Sequence, residues 1–222
     1  MSFNTKRRQE RLNSGLPDFI TTNVYNLLIG LTILYGVVVN AVMVFTCRDF
    51  FLRMNPIIFY IAYFVLVILG VLITRSNNPI ASFVGYNFVV VPIGAVVSIA
   101  VPFYETSAIL AAIIATAGVV IAMILLSTAF PRMFSKMGTT LIVTLILSFL
   151  AELVATFVFG YGGDAFNWIF VILFSIYVGY DWHKAQIYPK TIDNAIDCAL
   201  DIYLDVINLF IRLLQIFSKS DD

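Results

Sequence analysis

The chain has 222 residues, of which 61% are hydrophobic and only 12% charged, and its formal net charge is zero. An average soluble domain is about 25% charged, so these residues cannot cover a water-facing surface and describe a polytopic membrane protein. Zero net charge gives no footing for nucleic-acid binding, and no nucleic-acid partner is expected.

The chain opens on a basic and then polar stretch, "MSFNTKRRQERLNSGLPDF", followed by a full-length apolar run with no A-x-A-like cleavage site. That pattern is read as a retained anchor and not as a signal peptide. A membrane helix needs about 20 apolar residues. Six runs meet this, roughly 25–46, 57–74, 80–101, 107–129, 139–160 and 165–181, and a more polar seventh covers 196–217. Breakers fall between them: Asn55-Pro56, Asn77-Asn78-Pro79, Pro102, Pro131, Gly162-Gly163 and Pro189. Backbone groups in lipid must be satisfied within their own segment, so the runs are helices. Pro92 lies inside the third run and should kink it. Cys47 and Cys198 sit in no metal or disulfide spacing and are expected to be free thiols.

The expected organisation is a cytoplasmic arm at 1–24, a single transmembrane domain at 25–217 and a short polar tail at 218–222. Lys and Arg set the orientation. With the N-terminus inside, the cytoplasmic side holds Lys6, Arg7, Arg8, Arg11, Arg75, Arg132, Lys136, Lys184 and Lys190. The other side holds Arg48 and Arg53, with Lys219 if the last helix crosses.

The last run is the unusual one. At 100° per residue, Asn194, Asp197, Asp201, Asp205, Asn208, Arg212, Gln215 and Lys219 fall within an arc of about 80°. Such a helix either lies flat with its stripe in the headgroups or inserts with its stripe toward a bundle interior. The acidic first half of the stripe favours insertion, because interfacial helices show Lys and Arg to anionic lipid. A buried aspartate then needs a partner, water or a proton. Asp181, in "SIYVGYDWHKAQ", ends the sixth run, and Arg75, in "GVLITRSNNP", follows the second. Both fall at the depth where the last helix begins, so two carboxylates and a guanidinium can converge. Glu152 is a lone mid-helix carboxylate, read either as part of a pathway or as one end of a helix-to-helix hydrogen bond. Glu105, Asp164 and His183 are read as solvated, His183 in a polar loop.

These residues carry a resemblance. "ALDIYLDVINLFIRLLQIF" and the Tyr180-Asp181 element resemble the signatures of the Bax inhibitor family (transmembrane Bax inhibitor motif proteins), in its bacterial calcium-leak branch. The resemblance implies an all-α membrane protein, a seven-helix transmembrane bundle with a central polar C-terminal helix. It implies a pH-sensitive calcium leak channel, with Asp181 and Asp205 as the gating pair and transient calcium ligands, and Arg75 as supporting charge. Periodicity alone does not separate Asp205 from Asp201. Asp201, Asn208 and Glu152 are candidate pathway residues. The chain departs from the family after Asp181, where it reads YDWHKAQ and many relatives read YDTQ or similar.

Two close carboxylates away from bulk water cannot both stay ionised cheaply, so they share a proton. Losing that proton makes them repel, and a hard cation such as calcium suits the vacated pair. The expected partners are the lipid bilayer, calcium, protons and other membrane proteins, in a bacterial plasma membrane. No cofactor is expected beyond calcium as the transported ion, and no enzyme: P-loop, GxSxG and HExxH patterns are missing. An intramembrane aspartyl protease would place YD before GxGD, and here Gly163-Asp164 comes first. A membrane-embedded regulator of other proteins and a proton-coupled transporter are the competing readings.

Overall fold

The computed structural model describes residues 19–160 and 163–218. The arm residues Lys6, Arg7, Arg8 and Arg11, the breaker Gly162 and Lys219 lie outside them. Among the described residues the chain forms helices and no strand. They are α1 (Thr22–Thr46), α2 (Arg48–Leu52), α3 (Pro56–Ile73), α4 (Pro79–Ala100), α5 (Thr106–Ala129), α6 (Pro131–Phe134), α7 (Gly138–Phe159), α8 (Asp164–Ile187) and α9 (Ile192–Phe217). A short 3-10 turn, Val101–Phe103, follows α4.

The first six apolar runs become α1, α3, α4, α5, α7 and α8, and the polar run becomes α9. The asparagine-proline pairs that separate runs turn out to start helices. Asn55 caps α3, accepting from the Ile57 amide at 2.9 Å, and Asn78 caps α4, accepting from the Ile80 amide at 2.9 Å. Each cap is followed by proline at the first helical position, where its missing N–H costs nothing. α7 ends on Gly160 at φ 64, the left-handed conformation that glycine adopts without a Cβ penalty. α4 runs through Pro92, which is buried.

One boundary corrects the sequence reading. α8 does not stop near 181 but continues to Ile187, so His183 and Lys184 are helical and His183 is half-buried, not a loop residue in water. Hydropathy marks where lipid-like residues stop, whereas Lys, Ala and Gln go on supporting helix. α9 likewise starts earlier than 196, at Ile192, with the Thr191 hydroxyl accepting from the Asn194 amide at 3.3 Å.

Among the described residues six helices are long and apolar enough to cross a membrane: α1, α3, α4 with its 3-10 extension, α5, α7 and α8. Their burial divides them. The most apolar window of α4 is 61% buried, whereas those of α3 and α7 are each 6% buried. α3 leaves Ile57, Ile61, Phe64, Ile68 and Leu72 exposed, spaced as one helical face. In water such a surface would aggregate; in hydrocarbon it is the required covering. The protein is therefore an integral, multi-pass membrane protein.

The described residues fall into two compact units. One takes those of Met1–Pro102 and Ala185–Leu200, the other those of Phe103–Lys184 and Asp201–Asp222. In the first, α4 packs on both α1 and α3. Gly70 and Gly85 let α3 and α4 touch through their backbones, because a Cβ on either glycine would lie 2.7 Å from the other's carbonyl oxygen. Tyr86 on α4 is fully buried and donates to the Thr32 carbonyl of α1 at 2.8 Å. In the second unit, Ser127 of α5 donates to the Gly179 carbonyl of α8 at 2.6 Å. Phe149 of α7 meets Phe170 of α8 at 4.6 Å between ring centroids.

Candidate functional site

α9 has the composition of a helix with one polar stripe, and its surroundings decide what the stripe does. Of its 26 residues only Ile192 is exposed. A helix lying flat in the headgroups would leave its stripe in water, so the burial favours the inserted reading.

Four charged side chains of the second unit meet where α8 and α9 face each other. Asp181 and Lys184 are three residues apart on α8 and so share a face. Asp201 and Asp205 are one turn apart on α9. The Lys184 ammonium donates to Asp181 Oδ1 at 3.0 Å and to Asp201 Oδ2 at 2.6 Å. Asp181 is 8% exposed and Asp205 6%. The two carboxyl groups lie close enough to interact with each other. Asp205 Oδ2 is buried and no N–H or hydroxyl donor reaches it. Two carboxylates offer only acceptors, so a hydrogen bond between them requires a proton on one. Tyr177, one turn before Asp181 on α8, lies close enough to feel both carboxylates.

About two turns beyond Asp205, the stripe carries a second ionic cluster. Arg212 holds Glu152 of α7 through both guanidinium nitrogens, Nη1 to Oε1 at 2.5 Å and Nη2 to Oε2 at 2.8 Å. Nη1 also donates to Asn167 Oδ1 of α8 at 3.0 Å. The guanidinium lies over the Phe170 ring, 4.1 Å from its centroid. Planar bidentate pairing and ring stacking are what arginine supplies and lysine does not. Glu152 thus has the helix-to-helix partner that one of its two readings required. Asn208, between the clusters, donates its amide back to the Leu204 carbonyl of its own helix at 2.7 Å.

Arg75 belongs to the first unit, exposed in the turn that follows α3. The cation that meets Asp181 and Asp201 is Lys184, which the sequence reading counted only as a positive loop charge. The readable signal was the Asp-x-x-Lys spacing, which brings the two together only if the helix continues past Asp181. Asn167 was likewise overlooked, and nothing in its local sequence marks it.

The stripe has a different character in the first unit. Asn194 donates to the Pro189 carbonyl at 2.8 Å, and the Tyr25 hydroxyl contacts the Asn194 carbonyl at 3.4 Å and Cys198 Sγ at 3.3 Å. Lys190 donates to the Ala185 and Gln186 carbonyls at 2.9 and 2.8 Å, closing the end of α8, and lies over the Tyr25 ring. Burial holds the Lys190 ammonium below the usual lysine range. Neither Cys47 nor Cys198 forms a disulfide.

Among known proteins, residues 16–222 match the family described as "Inhibitor of apoptosis-promoting Bax1". A Golgi anti-apoptotic protein of vaccinia virus (strain Lister) is 24% identical over 180 residues, 80% of this chain and 75% of the viral one. An uncharacterized protein of Helicobacter pylori is 34% identical over 92 residues, 40% of this chain and 38% of that protein. The match to this bacterial relative thus spans about two fifths of its length. Bax inhibitor 1 of Saccharomyces cerevisiae is 36% identical over 59 residues, 26% of this chain and 19% of the yeast protein.

Proposed function

The chain belongs to the Bax inhibitor family, and from that premise we propose that it is a pH-gated calcium leak channel in a bacterial plasma membrane. In this reading α9 is the seventh crossing and lines a bundle of the other six, the N-terminal arm is cytoplasmic, and no bond is made or broken. The observation that carries it is the pair of buried aspartates, Asp181 and Asp205, set close together with Asp205 Oδ2 undonated among the described residues.

The gate follows from charge. With one shared proton the two carboxyls hold α8 and α9 together. Losing the proton leaves two anions in contact, facing Tyr177 and the already occupied Lys184 on α8 and Asp201 on their own side of α9. Repulsion then parts the helices or draws in a cation. Calcium, a hard cation that takes oxygen ligands, suits that demand. Flux therefore rises as pH rises.

The test is reconstitution of the full chain in liposomes loaded with a calcium dye, with flux measured from pH 6 to 8. Wild type is expected to leak more at the higher pH. Asp181→Asn and Asp205→Asn can each donate where a proton was needed, so both are expected to flatten that dependence. An unchanged pH profile in both variants refutes the gate. A saturable, substrate-dependent proton current would favour a proton-coupled transporter instead. The printed names of the viral and yeast relatives support a second reading, a membrane-embedded regulator of other membrane proteins. Crosslinking to a defined membrane partner, with no calcium flux, would favour it.

A further inference from the structure

We propose that Lys184 is a tethered cation that occupies a three-carboxylate site formed by Asp181, Asp201 and Asp205, and that an incoming divalent cation must displace it. The inference rests on the reading of the carboxylate pair as a cation's path, and adds to it a plug and a third ligand.

The geometry of the ammonium is the starting point. Lys184 Nζ sits between carboxylates of two helices, 3.0 Å from one and 2.6 Å from the other. A single lysine thus bridges α8 and α9 beside the Asp181–Asp205 contact. An ammonium is a compact point charge on a flexible four-carbon stem, so it can leave without any backbone movement. Asp201 gives it a way out, since its side chain is 41% exposed whereas that of Asp181 is 10% exposed.

The second, independent observation is Asp205. It is 94% buried by its exposure of 6%, and among the described residues its Oδ2 has no donor. Among the described residues of the second unit, three carboxylates face one ammonium, and one shared proton leaves that group at a net charge of minus one. Among the described residues, no three acidic, histidine or cysteine side chains are arranged to hold a metal ion. Were the ammonium to swing out, three carboxylates from two helices would be left with a deficit of three charges, which a divalent cation and one proton would match.

The exchange has a definite signature. Lys184 and calcium compete for the same oxygens, so removing the ammonium must tighten calcium and restoring a fixed positive charge must weaken it again. Direct binding of calcium chloride to the purified full chain in detergent is measured beside liposome flux, for wild type, Lys184→Met, Lys184→Gln and Lys184→Arg. The neutral variants are expected to bind calcium at about tenfold lower concentration, and Lys184→Arg to stay within about threefold of wild type. Asp201→Asn in the Lys184→Met background is expected to cancel most of the gain, because it removes the third ligand. Equal or weaker calcium binding in both neutral variants overturns the inference, as does Lys184→Arg behaving like them. Using two neutral variants of different shape guards against one that fails to fold, since monodispersity is checked for each. Tighter binding without flux in any protein would uphold the plug and sink the channel; flux with unchanged binding would do the reverse.

Discussion

At Arg212 the polar stripe of α9 meets a carboxylate and satisfies both of its oxygens, while at Asp205, about two turns earlier, the same stripe meets another carboxylate and brings no donor. Both clusters are largely removed from water and both tie α9 to α8. The difference is in completion. The Arg212 cluster has a planar cation, a bidentate anion, an amide and an aromatic face, all neutralised among themselves. The Asp205 cluster needs something from solution, a proton or a cation. A satisfied ionic group rigidifies, whereas an unsatisfied one responds to what solution supplies. This is why the second cluster, and not the larger and better-bonded first, is read as the switch.

The largest effect should come from breaking the completed cluster. Arg212→Met leaves Glu152 without its cation in a part-buried place, and stranding such a charged hydrogen-bond partner costs about 1–3 kcal/mol. We expect a clear loss of thermal stability in detergent, with the remaining folded fraction still showing pH-dependent flux. If flux loses its pH response while stability holds, the two clusters have been assigned the wrong way round. The companion variant removes both charges. Glu152→Leu with Arg212→Leu should recover to within about 1 kcal/mol of wild type, because apolar residues of similar volume replace a buried ion pair at little cost. At the other cluster, Asp181→Leu with Asp205→Leu should likewise leave the protein stable, but it should abolish flux.

A middle-sized effect belongs to Lys190, which sharpens the comparison because it is a lysine without a carboxylate in its bonds. It caps the end of α8 by donating to two carbonyls. Lys190→Met should cost about 1 kcal/mol and leave calcium binding unchanged, whereas Lys184→Met should change binding. The pH dependence of Lys190 has a definite sign. Its folded value lies below the ordinary 10.5 through burial, so the unfolded chain holds the proton more tightly. The penalty is present in full at neutral pH and lifts as pH rises through the folded value toward 10.5. Lys190→Met should remove that rise in alkaline thermal melts.

How much of this was legible in the sequence follows from what each residue's partner is. Six membrane helices were legible because hydropathy is a property of a single run. The stripe of α9 was legible because periodicity is too, and Asp181 with Asp205 followed from the family resemblance. Lys184 and Arg212 were visible as charges but not as partners, since pairing depends on where α8 ends and how α7, α8 and α9 turn toward one another. The hydropathy boundary at 181 hid Lys184 by cutting off the helical turn that brings it back beside Asp181. Glu152 could be seen to need a partner, yet the choice of Arg212, 60 residues away, is set by packing alone. The asparagine-proline pairs carried more information than a break, because the asparagine supplies a cap and the proline a preset first turn.

The smallest effect should come from Asn208, and it bears on the same contrast. Asn208 lies on the stripe between the two clusters, one turn from Asp205 in one direction and from Arg212 in the other. By position it belongs to any pathway running along the stripe. Its amide, however, donates to the Leu204 carbonyl of its own helix at 2.7 Å. A side chain that folds back on its own backbone satisfies itself and offers little to an ion passing beside it. Asn208→Ala should therefore cost no more than about 0.5–1 kcal/mol and shift calcium flux by less than about twofold, which corresponds to under about 0.5 kcal/mol. A larger drop in flux at unchanged stability would mean that the Asn208 carbonyl oxygen coordinates the moving ion. The path would then run the length of the stripe toward Arg212, and the completed cluster would have to be reconsidered as a barrier that the ion must pass.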